Sequence, residues 1–345
     1  MFKKTRILIL AAVTMTVMLL GSMAVFAAVN NSADEPTITK KVTIADGVTL
    51  DDTTVTFQVK QVANADGLTA PATVDTYTTD GTVSSTATEV NNIALNLAAK
   101  IDDTKPGEYT FEVSETAPTS NDNWTIDTTV YLVQVLVKND KTVTYSVTKK
   151  GETPATKTEL TFTNAYKATT DLSVSKAVTS DANVDKDTEY EFTITFTAGG
   201  DTAPVPSKIS GKIGDGEATD YTVTDSKATF KLKKGQTITF SGLPAGLKYT
   251  VTETKPTPST VEYVDTDVAQ TIDGNEQTST KGLASKTNAV LGNKGANTVG
   301  FTNNYKEISP TGIITHYLPY IAVILLAIVA FALFIVSRRR KAARY

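Results

Sequence analysis

Between residues 34 and 307 the chain runs in short stretches of alternating apolar and polar positions, separated by turn residues. "TVTFQV" (54–59), "EFTITF" (191–196), "ATFKL" (228–232) and "TITFSGL" (237–243) place β-branched or aromatic side chains at every second position. That is the period of a half-buried strand. Thr and Val dominate the remainder, as pleated surfaces favour. "VYLVQVLV" (130–137) is apolar on both faces and predicts a central strand, whereas "NNIALNLAAK" (91–100) predicts a short helical turn. The pattern is all-β, and the length suits two sandwich domains.

A repeat supports that count. "TITKKV" (37–42), "FEVSET" (111–116) and "TFTNAY" (161–166) are echoed by "LSVSKAV" (172–178), "YTVTET" (249–254) and "GFTNNY" (300–305). Lys40 to Glu115 spans 75 positions and Glu115 to Asn164 another 49; Lys176 to Glu253 spans 77 and Glu253 to Asn303 another 50. One plan is used twice, with a short linker near 167–170.

Alternation gives the echoed residues a direction. Ile38, Lys40, Val42 and Ile44 share one face, with Lys41 on the other; Leu172, Val174, Lys176 and Val178 share another. Phe111, Val113 and Glu115 line up, as do Tyr249, Val251 and Glu253. In the last strands the same holds for Leu160, Phe162, Asn164 and Tyr166, and for Val299, Phe301, Asn303 and Tyr305. Each repeat therefore points one Lys, one Glu and one Asn inward. The plain alternative is three residues at a strand rim, the lysine snorkelling to water; the matched triple in both repeats argues against it.

The ends of the chain differ in character. Residues 1–27 have the layout of a secretory signal: Lys3, Lys4 and Arg6, an apolar stretch, then Val25 and Ala27 before a cut. Residues 318–336 form an uncharged apolar run of 19 residues, the length of a transmembrane helix, followed by Arg338, Arg339, Arg340, Lys341 and Arg344. These flanks hold eight of the 33 Lys/Arg and none of the 37 Asp/Glu, leaving the body near −12. Such a charge argues against a nucleic-acid or anionic-membrane partner. There is no cysteine, and the single histidine, His316, lies outside the body. Disulfides, a Ser-His-Asp triad and the usual zinc sites are thereby excluded, and a hydrolase is the weakest functional class.

The buried triples supply a replacement for disulfides. Burial lowers the pKa of Lys and raises that of Glu, so a neutral amine and a protonated carboxyl can coexist. The amine of Lys40 or Lys176 can attack the side-chain amide of Asn164 or Asn303; Glu115 or Glu253 polarises the carbonyl and shuttles protons; ammonia leaves. Folding supplies the effective concentration, so no external enzyme is needed. The product is a Lys–Asn isopeptide bond from first strand to last.

Two resemblances follow. "ISPTG" (308–312), the apolar span and the basic tail resemble the cell-wall sorting signal of Gram-positive bacteria, which sortase cuts between Thr311 and Gly312; Ile308 and Ser309 depart from the usual LPxTG form. The two triples, and "FKLKKGQTITFSGLPAGLKYTVTET" (230–254), resemble the isopeptide-linkage and Cna-B-like domains of streptococcal major (backbone) pilins. The resemblance implies two immunoglobulin-like β-sandwiches, 28–167 and 168–307, before a sorting region, 308–345. It implies the repeating subunit of a sortase-assembled pilus shaft on the cell surface, joined through Thr311 to a lysine of the next copy. A YPKN-type pilin motif is absent; "KKGETPATKTE" (149–159) offers Lys149, Lys150 and Lys157, and the resemblance implies Lys157, seven residues before Asn164, where those pilins place their linking lysine. The implied partners are sortase, further copies, minor pilins, peptidoglycan and host surface molecules, with no cofactor. A wall-anchored adhesin on isopeptide-stabilised stalk domains is the alternative. Asp181, Asn183, Asp185 and Asp187 alternate as in a calcium loop, but Lys186 and Phe192 stand where an EF-hand needs Gly and Glu, so a solvated hairpin is the reading.

Overall fold

The computed structural model describes residues 34–63, 76–117, 123–179, 184, 186–257, 261–307 and 317–331. The signal stretch 1–27, the pentapeptide 308–312, and Asp181, Asn183 and Asp185 of the acidic hairpin lie outside them.

The first sandwich contains β1 (Thr37–Thr43), β2 (Thr53–Ala63), β3 (Thr76–Val83), β4 (Glu89–Ala94), β5 (Gly107–Thr116), β6 (Trp124–Thr125), β7 (Val130–Val137), β8 (Val143–Lys149) and β9 (Leu160–Tyr166). Its sheets have the orders β4-β1-β9-β6 and β3-β2-β5-β7-β8. The second sandwich begins with β10 (Thr169–Thr179), β11 (Glu189–Thr197), β12 (Lys208–Ile213), β13 (Ala218–Thr222), β14 (Lys227–Lys233) and β15 (Thr237–Pro244). It continues with β16 (Lys248–Glu253), β17 (Val261–Ile272), β18 (Asn275–Glu276), β19 (Thr280–Lys281), β20 (Ala289–Val290) and β21 (Thr298–Glu307). Its larger sheet runs β13-β12-β15-β10-β21-β17-β18, with β19 also on β17; the smaller runs β14-β11-β16-β20.

Alternation builds both cores. β1 buries Ile38, Lys40 and Val42 and leaves Thr37, Lys41 and Thr43 exposed. β7 is paired on both sides, by β5 and β8, and its outward residues are half-buried, as its two-sided apolar pattern predicts. The stretch 91–100 differs from expectation. Its first part completes β4, and only Leu97–Lys100 makes a 3-10 turn. Ile93, Leu95 and Leu97 are all buried, so the strand period of two wins over the helical pattern.

The first and last strands of each sandwich are adjacent and parallel: β1 on β9, β10 on β21. Only residues 167–168 separate β9 from β10. At this junction Ala45, Val48, Ala168, Ala203 and Ala245 form a small apolar cluster against Tyr166. Gly246 sits at φ +85°, and a Cβ there would fall 2.3 Å from that of Ala45, so glycine permits the approach. The Asn293 side chain accepts from Thr49 N–H and donates to its carbonyl, both at 2.8 Å, while Lys294 pairs with Asp51.

Beyond the sandwiches, residues 317–331 are helical. These 15 residues span about 22 Å, less than the ~30 Å of a hydrocarbon core. Among the described residues no helix is long and apolar enough to cross a membrane, and 332–336 of the expected 318–336 span lie outside them.

Candidate functional site

Each sandwich buries a lysine, a glutamate and an asparagine from three strands. Lys40 on β1 lies opposite Phe162 of β9, and Val42 opposite Asn164, so the asparagine sits one inward position along the neighbouring strand. Lys176 on β10 faces Phe301, and Val178 faces Asn303, in the same relation. The glutamates come from the opposing sheets. Glu115 on β5 pairs with Phe57 and Glu253 on β16 pairs with Phe192. Those phenylalanines pack on the last strands, Phe57 on Phe162 at 5.1 Å and Phe192 on Phe301 at 5.2 Å between ring centroids. Aromatic contact thus clamps the two sheets beside the polar groups.

In the first sandwich Glu115 bridges the other two. Lys40 Nζ donates to its Oε2 at 2.7 Å and Asn164 Nδ2 to its Oε1 at 2.6 Å. The side chains of Lys40 and Glu115 are both fully buried. Burial lowers the Lys40 pKa, opposed by its hydrogen bond to Glu115. In the second sandwich Lys176 Nζ stands 3.0 Å from Glu253 Oε1 without hydrogen-bond geometry, and Asn303 Nδ2 donates to the same oxygen at 2.8 Å. Lys176 also lies 4.5 Å over the Tyr190 ring. Burial pulls Lys176 down to about 8 and pushes Glu253 up. Neither site needs a metal or cofactor for the chemistry its groups can do.

One detail departs from the sequence reading. Each glutamate oxygen accepts from the amide nitrogen of its asparagine rather than meeting the amide oxygen. The amide oxygens face elsewhere. Asn164 Oδ1 accepts from Asp127 N–H at 2.9 Å, and Asn303 Oδ1 from the Thr266 hydroxyl at 2.7 Å. Sequence reasoning missed both donors. Asp127 acts through its main chain, which carries no residue signature. Thr266 is hidden by a bulge in β17 between Tyr263 and Asp265, which inverts the alternation and turns Thr266 fully inward.

The remaining candidates lie outside these triples. Lys157 is exposed between β8 and β9; Lys150 bonds Glu112 at 2.7 Å, and Lys149 stands 4.0 Å from Glu152. Asp187 pairs with Lys233, and among the described residues no group of three or more His, Cys, Asp or Glu could hold a metal ion.

Comparison with known proteins relates the chain to pilins. Residues 36–167 match the family described as Spy0128-like isopeptide containing domain, and residues 170–305 match a domain of unknown function (DUF7601). A pilin of Streptococcus pyogenes serotype M1 is 30% identical over 252 residues, 68% of each chain. The pilus tip adhesin Cpa of Streptococcus pyogenes is 33% identical over 144 residues, 42% of this chain but 18% of the adhesin, so the chain spans less than a fifth of that relative. The crystal structure of the major pilin from Streptococcus pyogenes covers 78% of this chain and 97% of its own, at 22% identity and a TM-score of 0.36. The chain belongs to the pilin family whose members carry a Spy0128-like isopeptide containing domain.

Proposed function

We propose that this protein is the structural subunit of a covalent pilus shaft, and that each sandwich closes its own Lys–Asn isopeptide bond, Lys40 to Asn164 and Lys176 to Asn303. The observation that carries this is the repeated buried triple: a lysine amine, an asparagine amide and a glutamate within hydrogen-bond reach, sealed from water, in two sandwiches of one chain. A buried ion pair is weak support for stability alone, since desolvation offsets its attraction. Conversion to a neutral amide removes that burden. Glu115 and Glu253 move protons within the chain, and no reaction on an outside substrate is assigned.

Strand direction supports head-to-tail assembly. β9 ends at the junction and begins at the far end of the first sandwich, where Lys157 precedes it. β21 runs parallel to β10, away from the junction, so the chain leaves at the opposite end of the second sandwich. Sortase would hold Thr311 after cleavage before Gly312, and Lys157 of the next copy would take it over, giving an open filament. Minor pilins, peptidoglycan and host surface molecules are the partners such a filament implies.

Intact mass of the purified protein tests the internal bonds: the expected value lies two ammonia masses below that of the sequence. A mass equal to the uncrosslinked sequence overturns this reading.

A further inference from the structure

We infer that the main-chain N–H of Asp127 and the hydroxyl of Thr266 are the oxyanion donors of the two isopeptide reactions, leaving Glu115 and Glu253 as proton carriers alone. The inference rests on the reading that both bonds form.

Nucleophilic attack on an amide moves charge onto its oxygen, and the group that matters for the barrier is whichever donor stands there. In neither sandwich is it the glutamate. Asp127 N–H can only donate, so the atom it meets at 2.9 Å is the acceptor Oδ1 of Asn164. The carboxylate of Asp127 fixes that N–H in place: its Oδ1 accepts from Thr129 N–H at 2.9 Å and its Oδ2 from Thr163 N–H at 2.8 Å, tying the loop to β9. In the second sandwich Thr266 lies directly across from Asn303 in the β17–β21 pairing and donates to its Oδ1 at 2.7 Å. Tyr263, brought to the same face by the bulge, meets the Thr266 hydroxyl at 2.9 Å.

The step then balances. The lysine ammonium gives a proton to the carboxylate; the neutral Nζ attacks Cγ of the asparagine; charge collects on Oδ1 under the donor. The carboxyl passes its proton to Nδ2, Cγ–Nδ2 breaks, ammonia leaves, and the carboxylate takes the remaining excess proton from Nζ. One C–N bond forms and one breaks, with no oxidant or reductant.

The two donors predict unequal sensitivity to substitution. The main-chain donor survives any side-chain change that leaves the loop in place, whereas Thr266→Val removes the other at similar volume. Cell-free synthesis of the full chain, followed by time-resolved mass spectrometry with peptide mapping, measures each ammonia loss separately. Thr266→Val should delay the second loss by about 10²-fold, the usual effect of removing one such donor. The first loss should keep its wild-type rate, and Thr266→Ser should restore the second. A Thr266→Val chain that closes the Lys176–Asn303 bond at the wild-type rate overturns the inference. Circular dichroism checks folding; if Thr266→Val misfolds, Thr266→Ala is read against Thr266→Ser by the same criterion. A wild-type chain that loses no ammonia overturns the underlying reading instead, which separates the two failures.

Discussion

Replacing Asn303 by alanine isolates the value of one crosslink. Lys176 to Asn303 encloses 127 positions, and tying them together in the unfolded chain removes about 5 kcal/mol of loop entropy by the estimate used for disulfides. Removing the asparagine rather than Glu253 matters, because Lys176 keeps its carboxylate at 3.0 Å and no buried charge is stranded. The hydrogen bond from Thr266 to the asparagine oxygen is also lost, a further ~1 kcal/mol. For a sandwich of this size each kcal/mol moves the melting point by roughly 3 °C, so the expected fall is about 15–20 °C. Differential scanning calorimetry should assign it to the second sandwich, and limited proteolysis should cut between β10 and β21 at temperatures where the wild type resists. A fall of less than about 5 °C would match the loss of that hydrogen bond alone and refute the entropic argument.

Glu115→Ala should restore one ammonia mass and Glu253→Ala the other, each leaving the second bond intact; intact-mass measurement after tryptic mapping checks which, and an unchanged loss in either variant refutes the role. In Asn303→Ala the Lys176 amine stays free with its pKa held down to about 8 from 10.5, so between these values the unfolded chain binds more protons and stability rises with pH. Glu253, pushed up by burial, opposes this from 4.5 up to its raised value. Urea midpoints at the two ends of the lysine window should increase with pH, and a flat profile counts against a buried amine. Lys157→Ala should abolish the high-mass ladder of detergent-resistant species in wall extracts while leaving both internal bonds; a ladder that survives it but disappears with Lys149→Ala or Lys150→Ala moves the linkage to that residue.

Much of the fold is legible because period-two burial is a local property. The alternation around Lys40, Glu115, Asn164, Lys176, Glu253 and Asn303 sets their inward direction without knowledge of partners, and the side chains of all six are buried. What the pattern does not carry is pairing. That β1 lies parallel to β9 is a contact across more than a hundred residues, and alternation is the same for parallel and antiparallel neighbours. Thr266 is illegible for another reason: the extra residue in β17, exposed Val264, breaks the parity on which the reading depends. Asp127 is illegible as a donor, since any residue but proline supplies an N–H and only the anchoring of its loop through the carboxylate depends on residue type.

The joint between the sandwiches has a mechanical consequence. A two-residue connection alone would be a pivot. Here the side-chain amide of Asn293 grips both main-chain groups of Thr49, and the alanine cluster fills the space beside Tyr166, so the units touch at points distinct from the connecting chain. Bending in one sense would have to pull Asn293 off Thr49 and bare the cluster to water; bending in the other is blocked where Gly246 meets Ala45 and Gly47 meets Val290 with no room for a methyl group. The exposed Lys294–Asp51 pair adds little to this stiffness. The two sandwiches therefore flex as one beam, and in a string of such units the compliance is concentrated at the seams between copies.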